Sequence, residues 1–186
     1  MNHNKIPEIT VHGRFQPPLH INHWDYVKRG FEIAEHVTIL ITNPFQNEDF
    51  DAAASWRNDP ANNPLSYDER VEMWQKFLTI MGIEPERYDI KPFNIKDDAE
   101  FAKLNKNVPN LVNVYSEWSA KKVDLFEKNG LEVIKLEQPK IKLVSGTIIR
   151  EIIKNTKNLD KLPDLLVEAG FMPEAISGLM DVLKRR

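Results

Sequence analysis

The chain has 186 residues, 41 % of them hydrophobic, and its 25 basic and 28 acidic side chains give a formal net charge of −3. This length suits one domain with a full core, the hydrophobic content excludes a disordered chain, and the balanced charge argues against broad binding of nucleic acid or membranes. Without cysteine, and without the run of ~20 apolar residues that a bilayer requires, the sequence predicts a cytoplasmic protein with no disulfide, thiolate nucleophile or membrane span.

The first half of the chain predicts two strands and two helices around a long loop. Apolar residues recur at three- and four-residue steps from residue 22 to residue 34, as in an amphipathic helix, and a β-branched run follows as a buried strand. Residues 43–65 carry three prolines and little periodicity, which predicts a functional loop. Ser66 and Glu69 have the spacing of a capping box. The predicted elements are strand 9–11, helix 22–34, strand 37–41 and helix 67–81.

The second half continues the alternation. Its predicted elements are strand 88–95, helix 99–104, strand 111–115, helix 119–128, strand 131–136, a helix after residues 145–147, and two short helices near Pro163 and Pro173. Strands alternating with helices form right-handed βαβ units and a parallel sheet. We therefore expect a Rossmann-like, doubly wound α/β fold of about five parallel strands, with helices on both faces. We expect one domain, residues 1–186, with its core at 8–155 and a helical tail at 156–186 that ends in a solvated basic cluster, residues 184–186.

Residues 13–23, with the sequence GRFQPPLHINH, lie between the first predicted strand and the first predicted helix. His20 and His23 are three residues apart at a helix start, so they lie on one side of it. The unpaired N–H groups and the dipole of a helix start favour anions, and Arg14 nearby completes a phosphate site. Two alternatives stay open at this spacing: a structural histidine pair, or a zinc site, which needs a third protein ligand that the sequence does not suggest.

Residues 144–150, VSGTIIR, carry the second pattern. Ser145 and Thr147 are helix-capping residues, and on their own they describe an ordinary helix start. A glycine between them and Arg150 one turn later also suit phosphate oxygens, because a guanidinium presents a planar fork of donors.

Taken together, these segments resemble the nucleotidyltransferase superfamily that is marked by an HxGH motif and a later SxTxxR-type motif. The resemblance is closest to archaeal-type nicotinamide-nucleotide adenylyltransferases and covers roughly residues 8–155. Asn22 stands where the HxGH motif has glycine, the 43–65 loop is longer, and residues 117–119 replace an asparagine–proline pair. The matching segments are 13–17 (GRFQP), 63–70 (NPLSYDER), 114–116 (VYS) and 145–150 (SGTIIR).

The resemblance implies transfer of AMP from ATP to a phosphate-bearing acceptor, with nicotinamide mononucleotide as the expected acceptor and Mg²⁺ bound mainly through the ATP phosphates. A homo-oligomer is compatible with it, and no nucleic acid is expected as a partner. Two rivals stay open: the same chemistry on another phosphorylated metabolite, and an inactive nucleotide-binding protein. The implied site residues are His20, His23, Arg14 and Arg150 in catalysis; Gly13, Phe15, Gln16, Ser145, Gly146 and Thr147 at the nucleotide; and Arg57, Arg70, Phe101 and Trp118 at the acceptor.

Overall fold

The computed structural model describes residues 5–17, 19–46, 58–114, 117–137, 144 and 146–186. Its strands and helices confirm the predicted order, with bounds shifted by a few residues; Ala34, predicted to end the first helix, begins a strand instead. The strands are β1 (Ile6–Gly13), β2 (Ala34–Thr42), β3 (Tyr88–Phe93), β4 (Asn110–Val114) and β5 (Val133–Glu137). The helices are α1 (Ile21–Ile33), α2 (Tyr67–Ile80), α3 (Asp98–Ala102), α4 (Glu117–Lys128), α5 (Gly146–Asn155), α6 (Leu162–Glu168) and α7 (Ile176–Lys184).

The chain divides into two compact units that alternate along the sequence. The sheet unit takes Met1–Arg14, Asp25–Asn43 and Glu86–Ile141, and the helical unit takes Phe15–Trp24, Pro44–Pro85 and Lys142–Arg186. The expectation of a single domain stays a prediction. None of the helices in the described ranges has the length and apolar composition that spanning a membrane requires.

The sheet unit contains all five strands, which run parallel in the order β3-β2-β1-β4-β5. Its central strands are apolar because helices around the sheet remove both faces from water. The α/β fold with a five-stranded parallel sheet is therefore confirmed. Pro92 pairs in register with Ile41, which is tolerated because β3 is an edge strand and needs no donor on its outer side. The central residues that are fully buried include Ile9, Val11, Ile39, Ile41 and Leu111.

Tyr26 on α1 bridges β1 and β4 just beyond their short ladder. Its hydroxyl accepts a hydrogen bond from the His12 backbone N–H at 3.2 Å and donates to the Leu111 carbonyl at 2.5 Å. These two backbone groups lie where the strand order reverses, and strands of a doubly wound sheet separate there. The hydroxyl thus satisfies a donor and an acceptor that would otherwise be buried without partners.

The helical unit confirms the predicted capping box of α2. The Ser66 hydroxyl accepts from the Glu69 N–H at 3.2 Å, and the Glu69 carboxylate accepts from the Ser66 N–H at 2.7 Å. The helix ends before Gly82, whose φ of +71° is the left-handed conformation that glycine adopts at little cost. Inside this unit, the rings of Phe15 and Phe77 pack edge-on against Trp74.

The basic end of the chain is exposed, as predicted, and two of its three residues also form ion pairs. The Arg185 guanidinium donates to both carboxylate oxygens of Glu72, at 3.0 and 2.6 Å. Arg186 donates to Glu69 at 3.1 and 2.5 Å. The sequence pattern shows only the positive charges, whereas their partners lie on α2, far along the chain.

Candidate functional site

The segment that follows β1 brings two histidines face to face at the start of α1. The His20 carbonyl accepts hydrogen bonds from the backbone N–H groups of His23 (2.8 Å) and Trp24 (3.2 Å), so the first helical turn begins at His20. The two imidazole rings stack, with centroids 3.6 Å apart and planes inclined by 24°. The three-residue spacing therefore places both rings on one side of the helix, as the sequence predicts.

Arg150 lies one turn into α5 and is 8 % exposed. Its guanidinium donates to the Gln16 carbonyl at 2.7 Å and to the Thr147 hydroxyl at 3.0 Å. Both acceptors are uncharged, and burial lowers the pKa of Arg150 below its usual value. A buried cation with neutral partners is stabilised by an arriving anion, and the planar fork of a guanidinium fits phosphate oxygens.

Gly146 lets the two segments approach each other. A Cβ atom built on Gly146 would lie 3.4 Å from the Gln16 carbonyl oxygen, 3.4 Å from Arg150 Nη1 and 3.8 Å from His20 Nε2. The start of α5 is therefore adjacent to the start of α1. We call the resulting group the His–Arg cluster; its members are His20, His23, Gly146, Thr147 and Arg150.

The chain has a known relative of similar sequence. The chain is 32 % identical over 146 residues to the phosphonoformate cytidylyltransferase of Streptomyces viridochromogenes, and the match covers 77 % of this chain and 79 % of the relative. The chain belongs to the nucleotidyltransferase family. It is thus an enzyme of the nucleotidyltransferase class, although no protein-family model matches its sequence.

Two crystal structures of a bifunctional NMN adenylyltransferase/ADP ribose pyrophosphatase from Francisella tularensis share the fold. The first has a TM-score of 0.59 and 15 % identity, and the match covers 96 % of this chain and 55 % of that protein. The second, complexed with AMP and a manganese ion, has a TM-score of 0.58 and 15 % identity, covering 97 % and 53 %. The nucleotidyltransferase thus spans about half the length of these solved chains, and at this identity the likeness shows the fold alone.

Phe15 and Gln16 are predicted to contact the nucleotide. In the structure, their side chains are packed or hydrogen-bonded inside the nucleotidyltransferase. Phe15 is buried, and its ring meets His23 edge-on with centroids 5.0 Å apart. The Gln16 amide donates to the Leu65 carbonyl at 2.5 Å and accepts from the Leu65 N–H at 3.2 Å. These side chains therefore support the His–Arg cluster, and Gln16 enters it only through the carbonyl that Arg150 binds.

Two residues that are predicted to contact the acceptor have buried side chains. Arg70 is buried in the helical unit, where it donates to the Ser66 carbonyl at 3.1 Å and to the Pro44 carbonyl at 2.9 Å. Phe101 is 2 % exposed in the sheet unit, and its ring packs edge-on against Phe93 and Phe126. Their acceptor roles stay predictions.

Other predicted residues of the nucleotidyltransferase lie in the sheet unit or outside the described residues. Gly13 is the last residue of β1, and Arg14 follows it half-buried. Trp118 is half-buried in the first turn of α4, with the Lys96 ammonium 5.8 Å from the centre of its ring. Their substrate roles stay predictions. Ser145 and Arg57 fall outside the described residues.

The C-terminal helices hold the His20 loop in place, which sequence reasoning missed. The Ile21 N–H donates to the Gly170 carbonyl at 3.0 Å, and the Met172 N–H donates to the Leu19 carbonyl at 2.9 Å. Backbone bonds carry no side-chain signature, so no motif indicates them. The one usable signal is Gly170 itself, which follows α6 with a φ of +85° and marks a turn whose destination the sequence does not reveal.

Proposed function

We propose that this nucleotidyltransferase joins the α-phosphate of a nucleoside triphosphate to a small acceptor that carries a phosphate or a phosphonate. An acceptor oxygen forms a bond to the α-phosphorus while the bond to the bridging oxygen breaks, and the electron pair of that bond leaves with pyrophosphate. No protein nucleophile is needed, so the protein contributes positioning and charge stabilisation. The observation that carries the proposal is the buried Arg150 guanidinium, whose hydrogen-bond partners are uncharged. Gly146 lies between this guanidinium and the His20 ring.

The members of the His–Arg cluster take different parts in this reaction. His20 and His23 donate hydrogen bonds to the charge that develops on the α-phosphate, which is the kind of preorganised contact that accelerates transfer. Arg150 holds the outer phosphates through its planar fork. Thr147 and the start of α5 add a hydroxyl and the positive end of a helix dipole.

The donor set of the His–Arg cluster does not fit Mg²⁺. Imidazole, guanidinium and a hydroxyl that already accepts from Arg150 suit an anion, whereas Mg²⁺ prefers oxygen ligands and keeps several waters. We therefore expect Mg²⁺ to arrive bound to the triphosphate, and turnover to stop when a chelator removes it.

For the substrates, the first candidates are CTP and a small phosphonate acid. The relative from Streptomyces viridochromogenes, at 32 % identity, is by name a phosphonoformate cytidylyltransferase. The charge near the predicted acceptor residue points the same way. Lys96 lies 5.8 Å from the ring centre of Trp118, and a cation there attracts a carboxylate or phosphonate and repels a pyridinium ring.

The second candidates are ATP and nicotinamide mononucleotide, which the resemblance of residues 13–17 and 145–150 favours. This acceptor needs an aromatic face for its ring. Phe101 is buried in the core. Among the described residues, Trp118 is then the aromatic candidate for stacking on the ring of the acceptor. Because the Lys96 ammonium lies beside Trp118, stacking of the positively charged nicotinamide ring there is less favourable than binding of an anionic acceptor.

A matrix of two nucleotides and several acceptors tests the proposal. CTP or ATP would be mixed with phosphonoformate, nicotinamide mononucleotide or a simple sugar phosphate in the presence of Mg²⁺, and pyrophosphate release would be measured. We expect acceptor-dependent release, fastest with CTP and phosphonoformate. Release only with ATP and the mononucleotide would select the second candidates. Nucleotide binding without release for any acceptor would contradict the transfer reaction.

A further inference from the structure

Asn22 stands between the two histidines, at the position where the HxGH motif has glycine. Its side-chain amide donates to the Val144 carbonyl at 3.0 Å. Val144 is buried and lies two residues before Gly146, the first residue of α5. Glycine has no side-chain donor, so this link between the start of α1 and the approach to α5 depends on asparagine being there.

The other side-chain link described between these segments is made by a proposed ligand. Arg150 donates to the Gln16 carbonyl at 2.7 Å, and the same guanidinium is the group that the proposed function assigns to the phosphates. When phosphate binds, Arg150 divides its donors between the carbonyl and the substrate. The proposed function assigns no substrate contact to the amide of Asn22.

Val144 is also fixed from its other side. A Cβ atom on Gly170 would lie 2.3 Å from Val144 Cγ2, so the glycine backbone is packed directly against that side chain. Gly170 in turn accepts the Ile21 N–H at 3.0 Å. With its side chain against Gly170 and its carbonyl bound by Asn22, Val144 has little freedom to shift relative to α1.

We infer that Asn22 is a positioning residue for nucleotide binding: its amide sets the start of α5 against the start of α1, so that Arg150 meets the phosphates beside the histidines. The inference rests on the proposed function. It gives the departure from the HxGH motif a role, because a side-chain hydrogen bond replaces what a glycine cannot supply. Asn22 itself need not touch the nucleotide.

The test compares Asn22→Leu, which keeps the size of the side chain and removes its donor, with Asn129→Leu. Asn129 makes the same kind of bond in the sheet unit, where its amide donates to the Leu125 carbonyl at 2.9 Å. Binding of CTP and of ATP would be measured by calorimetry without acceptor. The loss of one hydrogen bond predicts a rise of about 2–10-fold in Kd for Asn22→Leu, and none for Asn129→Leu. Asn22→Gly should behave like Asn22→Leu.

Two further readouts separate positioning from a general structural role. In a double-mutant cycle with Arg150→Lys, the two losses in affinity should not multiply, because both act on the same contact. Hydrogen exchange at the Ile21 amide, which donates to the Gly170 carbonyl at 3.0 Å beside Val144, should become faster in Asn22→Leu without any nucleotide present.

The outcomes distinguish this inference from the proposed function. If the wild type binds neither CTP nor ATP, the proposed function fails and the inference fails with it. If the wild type binds nucleotide and releases pyrophosphate while Asn22→Leu shows unchanged Kd and unchanged exchange, only the inference fails. Losses that multiply in the cycle would likewise overturn it.

Discussion

The sheet unit and the helical unit use their histidines in opposite ways. His12 in the sheet unit is 3 % exposed and stacks on Phe126 with centroids 4.5 Å apart, and burial lowers the pKa of His12 well below the usual value. In the helical unit, His20 and His23 stack on each other, and Gly146 lies between His20 and Arg150. One unit keeps a histidine as part of an apolar core, whereas the other brings together the side chains that are proposed to bind an anion.

The comparison extends to what holds each unit together. The sheet unit is built from strand ladders and an apolar cluster that includes Phe93, Phe101 and Phe126. In the helical unit, side chains bind the backbone of distant loops, as Gln16 does at Leu65. Substitutions in the apolar cluster of the first unit should therefore cost stability, and substitutions in the His–Arg cluster of the second should cost binding or catalysis.

The largest effect on stability should come from removing a buried ring from the core of the sheet unit. Phe126→Ala removes a fully buried ring that touches His12 and Phe101, and such a change costs about 3–5 kcal/mol of unfolding free energy. Urea denaturation followed by circular dichroism measures it. Phe45→Ala is the control, because Phe45 is 68 % exposed. Equal losses at the two positions would mean that the Phe126 ring contributes no more to stability than an exposed ring does.

His23→Ala should leave the fold intact and slow the chemistry. Removing one preorganised donor from a developing oxyanion lowers kcat by roughly 10²–10³, while the melting temperature changes little because the residue holds no large core. His36→Ala provides the control in the sheet unit, where His36 is half-buried between Glu8 and Asp89, and its kcat should match the wild type. A His23 variant that unfolds yet keeps its specific activity would point to a structural histidine.

Arg150→Lys should weaken nucleotide binding by about 10–100-fold, because lysine keeps the charge but loses the fork that makes charged hydrogen bonds to phosphate. Steady-state assays should show the change mainly in KM for the nucleoside triphosphate. Lys154→Arg, one turn further along α5 and exposed, is the matched control and should change little. Small and equal effects at both positions would remove Arg150 from the proposed site.

The sequence predicts what local patterns encode. Apolar periodicity located the strands and helices, and the spacing of Ser66 and Glu69 located the start of α2, because both signals act within a few residues. The pairing of His20 with His23 followed for the same reason.

Residue types alone did not reveal how far a side chain is buried or which distant backbone it binds. Phe101 and Arg70 were assigned to the acceptor, yet both are covered by packing that only the folded chain shows. The glycine-to-asparagine change at Asn22 was a departure from a motif in the sequence, and the bond to Val144 is visible only in three dimensions. Local patterns therefore predict which segments fold into helices and strands better than they predict which distant groups each side chain contacts.

The smallest effect should come from the ion pair between α7 and α2. Hydrogen bonds from Arg185, together with those from Lys76, lower the pKa of Glu72 to about 2. A lowered carboxylate pKa stabilises the fold while the group is charged, so the contribution is complete above the ordinary glutamate pKa of ~4.3 and disappears as pH falls towards about 2. Since the pair is largely exposed, Arg185→Gln should cost no more than ~1 kcal/mol at pH 7.

Urea unfolding of the wild type and of Arg185→Gln at several pH values measures this contribution. The two curves should differ at pH 7 and approach each other as Glu72 becomes protonated. Lys184→Gln removes the same charge from an exposed neighbour and should leave stability unchanged at every pH. A difference between Arg185→Gln and the wild type that persists at the lowest pH would mean that Arg185 stabilises α7 by packing its aliphatic stem. The contrast between the units would then weaken, because the helical unit would depend on apolar contacts even at its charged surface, as the sheet unit does in its core.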